Sequence, residues 1–277
     1  ERLRQEEAIG QQEAERIRQE EERKRQELTR LQEEKRFRKA QEEEKKRRTL
    51  VKGTFRLYLD HQNRIHMYYD GNEFTKGPGL HAGIFSDGAW YSSSDSDAAI
   101  KRLSPDTLSI HFVHNRLPLT QIWRLSLGAK GILTWNVSLD LKEPLSIDKR
   151  NISLFLSKVY RRWMTDSAQG SFPLDFGVEW RSIYSSRSTM KFTGASSDHR
   201  NFPGIIFKDA RGRKTYPLIN NSDLQLSSRV LEFQSEEEQD LHQPGTHPCF
   251  KVVIQLYPGK NALENAFKKI VSRKKKG

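Results

Sequence analysis

Residues 121–141, QIWRLSLGAKGILTWNVSLDL, alternate with a period of two on either side of a Gly-bounded break. Trp123, Leu125 and Leu127 share one face of the first arm. Leu133, Trp135, Val137, Leu139 and Leu141 share one face of the second. This pattern buries one side of a strand, and the short break joins the arms as a β-hairpin. It excludes a helix, whose apolar positions recur at three and four. Both tryptophans are therefore expected in a core. The opposite face, with Arg124, Asn136, Ser138 and Asp140, is either wet surface or a polar platform for a ligand.

The same grammar runs through the body of the chain. TFRLYLDHQNRIHMYY alternates around the turn DHQN, and DGNEFTKGPG is turn chemistry rich in Gly, Asn and Asp. HAGIFSDGAWYSSS, DTLSIHFVHN, LSIDKRNISLFLSKVYRRW, FGVEWRSIYSS, STMKFTG, NFPGIIFKD, LQLSSRVLEFQ and HPCFKVVIQLYP read as further short strands. Roughly a dozen such strands, with polar turns between them, predict an all-β fold, a large antiparallel two-sheet sandwich. NALENAFKKIVSRK reads as a short C-terminal helix with Asn261 as its cap.

The first fifty residues are different. They contain no Pro, one Gly, and 16 Lys/Arg against 14 Glu. Glu33–Arg36, Glu34–Arg38 and Glu42–Lys46 stand three and four apart, each pair worth about 0.2–0.5 kcal/mol on a helix. Leu3, Ile9, Ile17, Leu28, Leu31 and Phe37 make no sustained a/d seam, so a solitary charged helix is favoured over a coiled coil. Residues 1–50 are read as a helical spacer to an upstream domain, and residues 51–277 as one β-sandwich domain.

The body carries the positive charge: 32 Lys/Arg against 22 Asp/Glu, or +10 of the total +12. The cations are scattered over many turns rather than gathered with aromatics along one groove, which disfavours nucleic acid. No eighteen-residue apolar run is present, so no membrane span is expected. No signal-peptide pattern is present. The lone Cys249 excludes an internal disulfide and fits a reducing, cytoplasmic compartment. GNEFTKGPG has neither a phosphate-loop nor a dinucleotide spacing, and no cofactor is implied.

The succession TFRLYLDHQNRIHMYYDGNEFTKGPGLHAGIFSDGAWYSS, LPLTQIWRLSLGAKGILTWNVSLDL and ISLFLSKVYRRW resembles the large double sheets of the galactose-mutarotase-like superfamily. The resemblance covers roughly residues 51–260, as an order of strands rather than a signature motif. It implies a sugar-facing concave sheet that binds or acts on carbohydrate. Mutarotases use a His and a Glu as acid and base, but their His motif is absent around the eight histidines, so no catalytic residue is transferred.

Candidate chemistry follows from residue type. His111 and His114 are three apart on a strand and face opposite ways, and His247 with Cys249 supplies only half a zinc site, so no metal is expected. Asp175 and Glu179, among Phe172, Phe176, Trp180 and Arg181, form the best local carboxylate pair for glycoside chemistry. Sugar rings stack on aromatic faces while polar neighbours take their hydroxyls. That makes Trp90, Tyr91 and Trp163, at strand ends beside polar loops, candidate contacts with Arg124, Asn136 and Asp140. Arg161 and Arg162 suit an acidic sugar or a phosphate.

The leading reading is a carbohydrate-binding module, accessory to a larger polysaccharide-processing or glycan-synthesis protein. The alternative is a sugar epimerase or lyase of the same fold, which needs a convergent His and carboxylate. A basic nucleic-acid-binding protein or a ligand-free scaffold is the third.

Overall fold

The computed structural model describes residues 2–186, 192–209, 215–259 and 263. It divides into two units, Glu1–Arg47 and Arg48–Gly277. The first unit is one helix, α1 (Arg2–Arg47). Glu20–Lys24 at 2.8 Å, Glu34–Arg38 at 2.6 Å and Glu44–Arg47 at 2.8 Å are ion pairs of the spacing read from the sequence. No described helix is long and apolar enough to cross a membrane.

The second unit is built of strands. In chain order they are β1 (Thr49–Lys52), β2 (Phe55–Leu59), β3 (Ile65–Tyr69), β4 (Asn72–Glu73), β5 (Thr75–Ser86), β6 (Ala89–Ser92) and β7 (Asp97–Ser104). There follow β8 (Thr107–Val113), β9 (Leu119–Leu127), β10 (Ile132–Leu141), β11 (Leu145–Leu156), β12 (Tyr160–Thr165) and β13 (Gln169–Ser171). The last are β14 (Arg181–Ser185), β15 (Phe192–Ser197), β16 (Gly204–Asp209), β17 (Tyr216–Asn221), β18 (Arg229–His242) and β19 (Gly245–Tyr257).

Two large antiparallel sheets form the sandwich. One has nine strands in the order β13-β12-β15-β16-β19-β10-β9-β8-β7, the other six in the order β14-β17-β18-β11-β5-β6. A third, four-stranded sheet, β1-β2-β3-β4, was not foreseen. Its first strand takes Thr49 and Leu50, so the change from helix falls before residue 50. The edge strand β7 and the Pro-containing β17 were also unforeseen. β7 is mostly exposed and so lacks the apolar alternation that marks a half-buried strand. The expected C-terminal helix lies outside the described residues, apart from Leu263.

The 121–141 hairpin is β9 and β10, in register from Leu127–Leu133 to Leu119–Leu141. Gly131 closes its loop with φ +68°, a conformation that only glycine adopts cheaply. Trp123 and Trp135 are fully buried, with ring centroids 4.6 Å apart, and Phe112 packs edge-on against Trp123, also at 4.6 Å. Ile152, Leu154, Leu231 and Phe233 of the six-stranded sheet share that core, and Phe207 of β16 meets Phe233 of β18 at 5.2 Å.

The small sheet leans on β5 at Gly79, where φ is +71°. A Cβ there would drive into the carbonyl oxygen of Ile65 in β3. Backbone cannot move aside as a side-chain tip does. Gly79→Ala is therefore expected to cost about 2 kcal/mol or more in urea unfolding. An unchanged midpoint and slope would mean that the two strands are not in this contact.

Candidate functional site

The outward face of the six-stranded sheet gathers groups from strands far apart in sequence. In β5, β11 and β18 the residues opposite in parity to the core are His81, Gly83 and Phe85, then Lys149, Asn151, Ser153 and Phe155, then Val230, Glu232 and Gln234. Register sets His81 opposite Ser153, and Ser153 opposite Glu232, in one row across three strands. In the next row Gly83 stands opposite Asn151, and Asn151 opposite Gln234.

The floor of this face is polar and buried. Glu232 is only 8% exposed and accepts a 2.7 Å hydrogen bond from the Ser153 hydroxyl. Burial pushes its carboxyl up to about 7, against the opposing pull of hydrogen bonds from Ser153 and Asn151. Burial also lowers His81 to about 4, with a small opposing effect from Asp95, so the imidazole is neutral at pH 7. His81 Nδ1 and Asn151 Oδ1 are buried without a hydrogen-bond partner among the described residues. Buried polar atoms in this state point to a water or ligand that completes them. Gly83 makes room for the group, since a Cβ there would lie 2.6 Å from Asn151 Oδ1 and within 3.4 Å of Trp90 and His81.

Two tryptophans, each 46% exposed, stand above this floor. Trp90 of β6 lies opposite Phe85 and packs on it at 5.5 Å, and Lys149 Nζ lies 5.9 Å from the same Phe85 ring. Trp180 packs edge-on against Phe155 at 5.8 Å. Phe155 and Lys149 are six residues apart on β11, so the two rings span about 20 Å of the sheet.

The loop that carries Trp180 is tied down from beneath. Arg229 is fully buried, with its guanidinium carbon 4.4 Å from the Phe176 ring centre and 5.3 Å from that of Phe172. Asn221 Nδ2 donates to Asp175 O at 3.5 Å, and Leu224 N donates to Gly177 O at 2.8 Å.

The residues singled out from sequence are divided by this geometry. Trp90 belongs to the face just described. Asp175, Glu179 and Arg181 are exposed, on and just after the loop at its edge. Tyr91 pairs with Ile84 and turns toward the core. Trp163 needs correction: it sits inside β12 rather than at a strand end, 7% exposed, over Gly170 and 5.0 Å from Tyr184. The absence of a side chain at Gly170 leaves the space that its ring fills. Arg124, Asn136 and Asp140 lie on the outer face of the nine-stranded sheet, across the sandwich from Trp90. Arg162 is paired with Asp198 at 3.4 Å.

His111 bonds Ser109 Oγ at 3.1 Å, His247 bonds Gln243 O at 2.6 Å, and Cys249 is buried. No metal-holding group of three or more such side chains occurs among the described residues. Sequence reasoning missed His81, Asn151, Ser153 and Glu232. The available signal was a set of polar residues at core-like positions inside strongly apolar runs, such as Ser153 in NISLFL and Glu232 in RVLEF.

A scan against protein-family models and a search of curated proteins found no match. Among solved structures, the chain is similar to the alpha-N-acetylgalactosaminidase NagBb from Bifidobacterium bifidum. Against its Gal-NHAc-DNJ complex the TM-score is 0.59 at 11% identity, covering 82% of this chain and 39% of that one. Against its GalNAc complex the values are 0.57, 10%, 82% and 38%. The chain thus spans about two fifths of that enzyme's length. A GalM/aldose epimerase homologue from C. elegans is similar at TM-score 0.47 and 8% identity, covering 75% of this chain and 93% of that one. At 10–11% identity the likeness to the galactosaminidase is one of fold.

Proposed function

We propose that the β body binds an oligosaccharide across the outward face of its six-stranded sheet. The observation that carries this reading is the pair of half-exposed rings, Trp90 and Trp180, flanking a polar floor with two unsatisfied buried atoms. Each ring offers a flat apolar surface to the C–H face of a sugar, and the floor offers donors and acceptors to its hydroxyls. A span of about 20 Å suits several sugar units rather than one. The likeness in fold to a galactosaminidase supports a carbohydrate ligand, and α1 serves as a stiff spacer of about 70 Å to an upstream domain.

Titration with a panel of neutral oligosaccharides tests the reading by tryptophan fluorescence and calorimetry. Trp90→Ala and Trp180→Ala are each expected to weaken binding about tenfold. Sugar binding that survives both substitutions unchanged places the ligand elsewhere.

One observation favours a second reading, an epimerase or lyase. Glu232 is poised near neutral pH two strands from a neutral His81, with Ser153 between them in the row, and a carboxyl in that range exchanges protons efficiently. Turnover of a sugar panel followed by NMR, abolished by Glu232→Gln, is the expected sign. Turnover that persists in that variant removes Glu232 from the chemistry.

A further inference from the structure

The outer face of the nine-stranded sheet carries a row of cations that the sugar-binding reading does not use. Lys101 of β7 stands opposite Ser109 of β8, which stands opposite Arg124 of β9. Arg124 stands opposite Asn136 of β10, and Asn136 opposite Lys251 of β19. Lys208 of β16, opposite Val253, lies one strand further and two residues along. All four cations are exposed, and none has an ion pair among the described residues.

A strand spacing of about 4.8 Å sets neighbouring cations about 8–10 Å apart and extends the row over about 24 Å. Along these six strands the carboxylates on the same face are Asp97 and Asp140. They lie four residues from Lys101 and Asn136, about 13 Å away. Each is engaged there, Asp97 by Asn115 at 3.3 Å and Asp140 by Thr246 at 2.9 Å. Four like charges in a line with no nearby carboxylate among the described residues of these strands make a positive ridge that attracts an extended anion.

We propose that this ridge binds an anionic polysaccharide bearing one acid group per pair of sugars. Three features select that partner. Lys101, Arg124 and Lys251 recur on alternate strands, a step close to the length of a disaccharide. Beside them stand half-buried hydroxyl and amide groups, Ser126, Thr134 and Asn136, that match sugar hydroxyls. Among the described residues of these strands, no Phe, Trp or Tyr stands beside the row to stack a base. Tyr257, further along β19, is packed with Met164, Phe192, Ile206 and Leu263. A nucleic-acid duplex also carries a charge about every 1.7 Å of helix axis, both strands counted, a far denser anion than this row of cations matches.

The test compares the full chain's affinity for a hyaluronan oligomer, which bears one carboxylate per disaccharide, with that for its methyl ester, which has the same backbone without charge. The acid form is expected to bind at least about tenfold more tightly, and to weaken steeply between about 50 and 200 mM salt. The triple variant Lys101→Gln, Arg124→Gln, Lys251→Gln is expected to lose about tenfold for the acid form. It keeps the neutral-oligosaccharide titration of the six-stranded face, which separates this proposal from that reading. The three single variants at exposed positions read out the same loss in smaller steps if the triple variant folds poorly. Equal binding of acid and ester, or full binding by the charge-neutralised variants, overturns the proposal. A DNA duplex that binds more tightly than hyaluronan at equal salt overturns it in favour of nucleic acid.

Discussion

Replacing Trp123 with alanine is expected to lower the free energy of unfolding by about 3–5 kcal/mol, the range for a large aromatic removed from a closed core. Trp123 is fully buried between Phe112 and Trp135, so its loss leaves a cavity that neighbouring rings cannot fill without leaving their rotamers. It also removes the first bond of a buried polar chain that reaches the other sheet. The indole Nε1 donates to Gln121 Oε1 at 3.2 Å, and Gln121 Nε2 donates onward to Ala82 O at 3.4 Å. Without the indole, the Gln121 oxygen loses a donor in a dry interior. Trp123→Phe restores much of the volume but not that donor, and is expected to recover only part of the loss. Urea unfolding of both variants measures this. A loss below about 1 kcal/mol for the alanine variant would mean that the hairpin's apolar face is not closed by the second sheet.

Substituting Glu232 with glutamine should change how stability depends on pH. The folded protein holds this carboxyl at about 7, above its ordinary value of 4.5. Its contribution is therefore fully present below pH 4.5 and is lost as pH rises through 7, by about 3 kcal/mol in total. The substituted amide would keep a comparable shape with no charge to bury. The variant should gain on the parent between pH 4.5 and 7, with the gap constant above. A difference independent of pH from 4 to 8.5 would show that Glu232 is already solvated. His81 works in the opposite direction. Its folded pKa of about 4 lies below the ordinary 6.5, so its contribution is present above pH 6.5 and fades as pH falls through 4. The two together favour the window from about pH 4 to 7, where both side chains are uncharged.

Much of the fold was legible because alternation reports which residues turn inward. It placed Trp123 and Trp135 in the core and most strands where they occur. It does not report which sheet a strand joins. Trp90 and Arg124 both read as candidate sugar contacts, yet they lie on opposite sides of the sandwich, because β6 ends one sheet and β9 belongs to the other. The site itself was hidden for the same reason. His81, Ser153 and Glu232 become neighbours only when β11 is inserted between β5 and β18, and nothing local to any of the three strands announces that order. Trp163 was misplaced because its strand is flanked by charged residues in sequence, while the space for its ring comes from Gly170 on β13.

The position of β19 has a consequence for biosynthesis. Among the described strands it alone links β16 to β10, and hence the two halves of the nine-stranded sheet. A ribosome delivers those halves well before Gly245–Tyr257 emerges, so each waits with an open edge able to recruit a foreign strand. The nascent protein is therefore most vulnerable to aggregation just before this late keystone arrives, and chaperone demand should peak there.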